Sequence, residues 1–317
     1  MRVLSLVTTD RARFYRQEVA GLEALGVEVD TLAVPGSYQD PDGQVDARSP
    51  VDYVRFYGDA IRASFGNYDL VHASYGLTAP PAVAQPNLPT VLTLWGSDLL
   101  GSYGRLTRLC ARAADEVIVM SPEMAEALGM RCHIIPHGVN MERFRPEPQT
   151  EARAAIGWQP DKYHVLFPYS AERPVKAYPR AKRIVDAVDE RVDRSVELHS
   201  VTGVPHQQMS TYMSAADSLL LTSKHEGSPN AVKEALACNL PVVSVDVGDV
   251  AMQLCDVAPS VVATSDEGLA DGLESVLASG ERSNGRVMVE RISIDRQIQR
   301  VYDVFQAVVN DERSSGG

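Results

Sequence analysis

Glu226 stands eight positions before Glu234 in the stretch Leu219 to Val245, LLLTSKHEGSPNAVKEALACNLPVVSV. One carboxylate can reach one end of a bound phosphate-bearing ligand while the other reaches the opposite end. The residues around them specify strand, loop, helix and strand. Ser228 is suited to cap the helix and Pro229 to open it, where a missing N–H costs nothing. The helix should run from Asn230 to Cys238, with Asn239 left-handed at its end and Pro241 blocking continuation. Gly227, Ser228 and Asn230 would then offer backbone N–H groups at a helix N-terminus behind a buried strand, an arrangement that binds anions. A purely structural reading stands beside this one. A capped helix between two strands occurs throughout α/β proteins, and a Glu in its middle is usually solvated.

Two cations lie near the end of an earlier apolar segment. Arg173 and Lys176 fall in FPYSAERPVKAYPRAK, just after the strand expected at 164–168. Exposed loop residues are one reading. Beside an anion-binding helix end the other gains weight, because two cations plus helix N–H groups can neutralise a diphosphate without metal.

The run from Glu226 through Gly227, Pro229, Glu234 and Ala235 to Pro241-Val242-Val243 resembles the E-x7-E signature of retaining nucleotide-sugar glycosyltransferases of the GT-B fold, family 4. The resemblance implies that Arg173, Lys176 and Glu226 are the catalytic set, with Arg173 and Lys176 clamping the donor diphosphate and Glu226 contacting the donor sugar. It implies donor binding by Glu234 at the ribose and by Gly227, Ser228, Pro229 and Asn230 at the helix end. Val204, in the turn His199–Pro205, would line the nucleobase, although a tight turn built on Gly203 explains that segment equally well. Trp95, Gly96 and Asp98 occupy the family's H-G-x-D segment on the acceptor side. Trp95 replaces the histidine there, and Asp98 could instead cap the next helix. Ala177 replaces the usual glycine after the lysine. The first strand-to-helix turn, Thr8-Thr9-Asp10-Arg11, lacks the glycine pair many relatives carry.

The function implied is transfer of a sugar, with retention, from a nucleoside-diphosphate sugar to a hydroxyl of a glycan or lipid-linked acceptor in glycan, polysaccharide or glycolipid assembly. A nucleotide-sugar epimerase of the same fold and a non-catalytic two-domain binding protein are the rival readings. No cofactor or metal is assigned. Asp40-Pro41-Asp42 has a D-x-D form but reads as a surface turn before Gly43.

The elements that must position these residues alternate along the whole chain. Short apolar strands interleave with amphipathic helices, which predicts α/β architecture with two Rossmann-like, doubly wound parallel sheets facing a central cleft. At 317 residues the chain suits two domains of about 150. The expected division is an N-terminal acceptor-side domain over 1–145, a Pro-rich linker over 146–160, a nucleotide-sugar-binding domain over 161–293, and a C-terminal helix and tail over 294–317 that can cross back to the first domain.

A formal net charge of −12 argues against nucleic-acid binding. Cys110, Cys132, Cys238 and Cys255 are widely spaced and read as reduced, buried thiols. The opening MRVLSLVTTD reads as a strand rather than a signal peptide, and no apolar run approaches about 18 residues, so a cytoplasmic location is expected. Arg105, Arg108 and Arg112 share a helix face with Leu106 and Leu109. That face either is solvated or rests peripherally on the inner, anionic membrane surface.

Overall fold

The computed structural model describes residues 1–36 and 48–315. The chain divides into two units, Met1–His137 with Asp295–Gly317, and Gly138–Ile294. The first contains β1 (Arg2–Val7), α1 (Arg13–Ala24), β2 (Glu28–Ala33), α2 (Pro50–Ala63), β3 (Leu70–Ala73), α3 (Ala79–Ala84), β4 (Thr90–Thr93), α4 (Ser97–Leu100), α5 (Gly104–Ala111), β5 (Glu116–Val119), α6 (Pro122–Leu128) and β6 (His133–Ile134). Its six strands pair in parallel in the order β2-β1-β3-β4-β5-β6. The central strands β3 and β4 are buried at every position, as strands covered on both faces must be.

The second unit contains α7 (Gln149–Ile156), β7 (Tyr163–Phe167), α8 (Tyr178–Asp189), β8 (Val196–Ser200), α9 (Met209–Ala215), β9 (Ser218–Leu221), α10 (Asn230–Ala237), β10 (Val242–Val245), α11 (Val250–Leu254), β11 (Val261–Ala263), α12 (Asp266–Ser279) and α13 (Gly285–Val289). Its parallel sheet runs β11-β10-β9-β7-β8. Alternate residues of one strand feed two cores. Leu166, Leu219 and Leu221 join one, while Val165, Phe167 and Leu220 join the other. Helices therefore cover both faces, as the alternating sequence pattern predicts.

The last helix, α14 (Ile294–Ser315), packs within the first unit from Asp295 onward. Ile298, Val301 and Phe305 are buried at helical spacing. Gly21 of α1 is needed for this contact, since a Cβ there would lie 2.0 Å from Ile298 Cδ1. Gln297 Nε2 donates to the buried Glu18 carboxylate at 3.1 Å.

Several expectations change. The stretch expected as a linker carries α7, hidden in the sequence between Pro148 and Pro160. Arg153 of α7 holds it down with paired hydrogen bonds of 2.7 Å to both oxygens of Asp217, and a third to the Ala215 carbonyl. The signature helix starts where expected, at Asn230, but its cap is Pro229 and not Ser228, with no side-chain cap. Asn239 does adopt the left-handed conformation, at φ 54°. Of the four thiols only Cys110 and Cys238 are buried; Cys132 is half-buried and Cys255 exposed. The Asp40-Pro41-Asp42 turn lies outside the described residues. Among the described residues no helix is long and apolar enough to cross a membrane.

Candidate functional site

In the second unit β8 lies on one side of β7 and β9 on the other. The chain reverses its winding there, and in sheets of this kind ligands bind outside the carboxyl ends of the strands at such a switch point. The loops leaving the carboxyl ends of β7 and β9 carry Arg173, Lys176 and Glu226. Thr222 ties them together, its hydroxyl donating to the carbonyls of Lys176 and Ala177 at 3.0 and 3.3 Å. The Lys224 N–H adds a bond of 2.8 Å to the Val175 carbonyl.

Lys176 Nζ donates to Glu226 Oε1 at 2.5 Å, and the two side chains are 7% and 13% exposed. The same ammonium lies 3.7 Å from the centroid of the Tyr169 ring. Burial lowers the Lys176 pKa, and the bond to Glu226 does not restore it. Desolvation first, with the nearby Arg173 charge adding to it, leaves this ammonium incompletely compensated by one carboxylate, and the site favours further negative charge. Tyr169 reports the rest of the cluster. Desolvation first, then Glu226 and Glu234, raise its phenol well above the ordinary value, and Arg173 opposes them. Arg173 itself is exposed at the turn.

Ala177 sits at φ 54°, ψ 45°, the left-handed conformation. The residue that departs from the family's glycine thus keeps the glycine's backbone geometry at a steric cost.

Glu234, on α10, accepts from His206 Nε2 at 3.0 Å. The other ring nitrogen, Nδ1, faces Arg143 Nη1 at 3.4 Å, and because a guanidinium only donates, the proton of a neutral His206 belongs on Nε2. His206 was missed by sequence reading. It directly follows the turn His199–Pro205, but nothing in its spacing announces a bond to α10. Val204 in that turn is half-buried against the core beneath α10.

Ser228 does not cap α10. Its hydroxyl donates to Asp249 Oδ2 at 2.6 Å, a charge-assisted bond stronger than accepting from a helix N–H. The Asp249 N–H in turn donates to the Gly227 carbonyl at 3.1 Å. Gly248 has φ +58°, and a Cβ there would lie 2.3 Å from the Gly227 oxygen. The segment after β10 thus presses on the glutamate loop and fixes it. Gly248 and Asp249 were also missed; the only signal was a Gly-Asp pair after a buried strand. Asn230 is exposed and Gly227 half-buried at the mouth of the helix.

In the first unit Asp98 is wholly buried. Its carboxylate accepts from the N–H groups of Trp95 at 3.0 and 3.2 Å, Gly96 at 2.9 Å and Gly76 at 2.9 Å. It caps no helix through the first-turn bond that was one expectation. Instead it fastens the turn after β4 to the turn after β3, with Gly96 at φ +123° between. Trp95 is half-buried, 4.4 Å from the ring of Phe14 and 5.9 Å from that of His137. Its indole N–H is buried with no hydrogen-bond partner among the described residues. Thr9 Oγ1 accepts from the Arg11 N–H at 3.3 Å, which closes the first turn without glycine. On α5 Arg105 and the following Arg112 are exposed beside Leu106 and Leu109, which are 41% and 63% exposed. Arg108 departs from that face, donating to the Ala127 carbonyl at 3.1 Å.

Comparison with known proteins bears on the family and the fold. Residues 177–279 match the family described as glycosyl transferases group 1, and residues 12–138 match the glycosyl transferase 4-like domain. The putative teichuronic acid biosynthesis glycosyltransferase TuaC of Bacillus subtilis is 28% identical over 210 residues, 57% of this chain and 54% of that protein. The D-inositol 3-phosphate glycosyltransferase of Mycobacterium marinum is 25% identical over 294 residues, 75% of this chain and 63% of that protein. This chain therefore spans about half to two thirds of the length of these relatives. Among solved structures, sucrose-phosphate synthase of Thermosynechococcus elongatus superposes with a TM-score of 0.73 at 17% identity, over 98% of this chain and 100% of that one. Anabaena HepE in complex with UDP-glucose superposes with a TM-score of 0.68 at 15% identity, over 97% and 100%. With both units matched and the GT-B architecture shared, the chain belongs to the group 1, GT4-like glycosyltransferases.

Proposed function

We propose that the protein transfers a sugar from a nucleoside-diphosphate sugar to a hydroxyl acceptor with retention of configuration. The observation that carries this is the meeting of Lys176, Glu226 and Tyr169 where the loops after β7 and β9 converge, beside Glu234 on α10. Lys176, Arg173 and the uncapped N-terminus of α10, with Gly227, Ser228, Pro229 and Asn230, receive the diphosphate. The incoming charge supplies what Glu226 alone does not return to the buried ammonium. The same groups stabilise the leaving diphosphate as the glycosidic bond breaks. Glu226 reads donor-sugar hydroxyls. Glu234 releases or shares its bond with His206 and takes the ribose hydroxyls. Val204 flanks the base. No protein nucleophile is invoked; the acceptor attacks from the face the diphosphate leaves, and the diphosphate takes the proton.

The donor is assigned to residues 161–293 and the acceptor to the first unit. There Asp98 acts by holding the backbone of Trp95 and Gly96 in place. The HepE structures hold UDP and UDP-glucose, which makes uridine nucleotides the first donors to test. We assign the acceptor to the glycan or lipid-linked class and peripheral membrane contact to the exposed Leu106/Leu109 face of α5. A thermal-shift screen with UDP, GDP and their sugar conjugates tests the donor reading: one nucleotide class should raise Tm, and the absence of any shift would count against it. Product analysis with and without an acceptor alcohol separates transfer from epimerisation.

A further inference from the structure

A second cluster of chemistry-bearing side chains lies on the edge of the second sheet, apart from the residues assigned to the donor. Glu197 and His199 alternate along β8, so both side chains point to one face. His164 of β7 is the register partner of Glu197 and shares that face. His164 Nδ1 and His199 Nε2 are 2.9 Å apart. Glu197 Oε2 lies 3.9 Å from the former and 3.6 Å from the latter. Ligands of a tetrahedral ion with bonds of 2.0–2.1 Å are spaced by about 3.3 Å. The three separations bracket that value, so the cluster needs only small side-chain shifts to hold one ion.

The surroundings prepare these atoms. His164 Nε2 is 2.7 Å from the Gln159 carbonyl, which only accepts, so the proton of neutral His164 is on Nε2 and Nδ1 carries a lone pair. A ring N–H donated to a backbone carbonyl is the usual outer support of a metal-bound histidine. Lys162 occupies Glu197 Oε1 at 2.5 Å and leaves Oε2 to the cluster. Trp158 stacks on His164 and His199 at 4.7 and 3.9 Å. Stacking covers the flat faces of the rings and leaves the in-plane lone pairs open. The His199 side chain is 20% exposed and that of Glu197 37%, which gives an ion a way in.

We propose that His164, Glu197 and His199 form a binding site for a divalent transition metal of the zinc class, with water as the fourth ligand. Two imidazoles and one carboxylate suit zinc and its neighbours rather than magnesium or calcium. On binding, His199 moves its proton from Nε2 to Nδ1, so the His–His hydrogen bond is replaced by two metal bonds with no net proton release. The ion would staple the edge strand β8 to β7. The turn carrying Val204 and His206 leaves the end of β8, so the staple braces a segment next to Glu234.

The test is competition for Zn2+ against a chromophoric chelator on the full, metal-stripped chain. The background carries Cys132→Ser and Cys255→Ser, to remove accessible thiols as ligands. One equivalent of Zn2+ should bind and raise Tm, and Co2+ in its place should give the intense visible bands of a tetrahedral site. His199→Gln and Glu197→Gln, both at partly exposed positions, should each weaken binding by roughly 100-fold or more, the scale on which even outer supports matter. No stoichiometric binding by the parent, or unchanged affinity in both folded variants, overturns the proposal. The readout does not depend on sugar transfer, so it stands or falls separately from the donor site.

Discussion

Replacing Lys176 by Met should cost more stability than a surface ion pair could. At 2.5 Å the Lys176–Glu226 attraction is worth about 6–7 kcal/mol at an effective dielectric near 20. Yet the Lys176 pKa is lowered, by desolvation first and by the nearby Arg173 charge, so Glu226 does not fully compensate the ammonium. The pair as a whole therefore adds little net stability, while either partner alone is a buried charge without compensation. Lys176→Met should cost about 3 kcal/mol, which in a unit of this size lowers Tm by roughly 6–12 °C. Glu226→Gln should cost about 1–2 kcal/mol. The double variant Lys176→Met/Glu226→Gln should be more stable than Lys176→Met alone, with a coupling of about 1.5 kcal/mol or more. Urea unfolding of the four proteins measures the cycle. Donor use should be lost in all three variants, including the double one whose stability recovers. Additive costs within about 0.5 kcal/mol would refute the buried-pair reasoning, and full activity in the double variant would refute the functional one.

Other consequences follow from single contacts. Glu18 is buried and its carboxyl is raised from the ordinary 4.5 to about 7, chiefly by desolvation. The unfolded chain holds fewer protons at this group between those values, so its penalty grows as pH rises from 4.5 to 7 and is complete above. Glu18→Gln keeps an acceptor for Gln297 and should stabilise the protein by up to roughly 3 kcal/mol at pH 8 but not at pH 4, as read by thermal unfolding at both. Ala177→Gly removes the left-handed strain at φ 54° and should raise stability by about 0.5–1 kcal/mol without loss of donor use. Gly248→Ala forces a Cβ to within 2.3 Å of the Gly227 oxygen. It should cost about 1–3 kcal/mol and raise KM for the donor, although residue 248 itself contacts no donor in this account.

The fold was legible because each sheet is buried on both faces. Runs such as LVHA at 70–73 and SLLL at 218–221 have no other stable use in a chain of this composition, and their alternation with helices fixes the class. Short pieces without period escaped, notably β11 and α7, whose few residues are held by tertiary partners such as Asp217 rather than by local pattern. Family resemblance marked Lys176 and Glu226, and the structure brings them into contact. What the sequence hid were relations between distant segments. Ser228 looks like a cap, but its hydroxyl finds Asp249, a stronger acceptor 21 residues on. Asp98 looks like a cap or an acceptor contact, but three N–H groups from two turns saturate it. His206 and Gly248 carry no local signature, because their roles come from what folding places opposite them.

Calorimetric titration of UDP into the wild-type protein and the Glu234→Ala variant tests the central claim most directly. If UDP gives no heat, GDP replaces it in the same titration. The wild type should bind saturably and one-to-one, and the variant, which loses a charged hydrogen-bond acceptor, at least about tenfold more weakly. Equal affinity in the two proteins, or no binding of either nucleotide to the wild type, would contradict it.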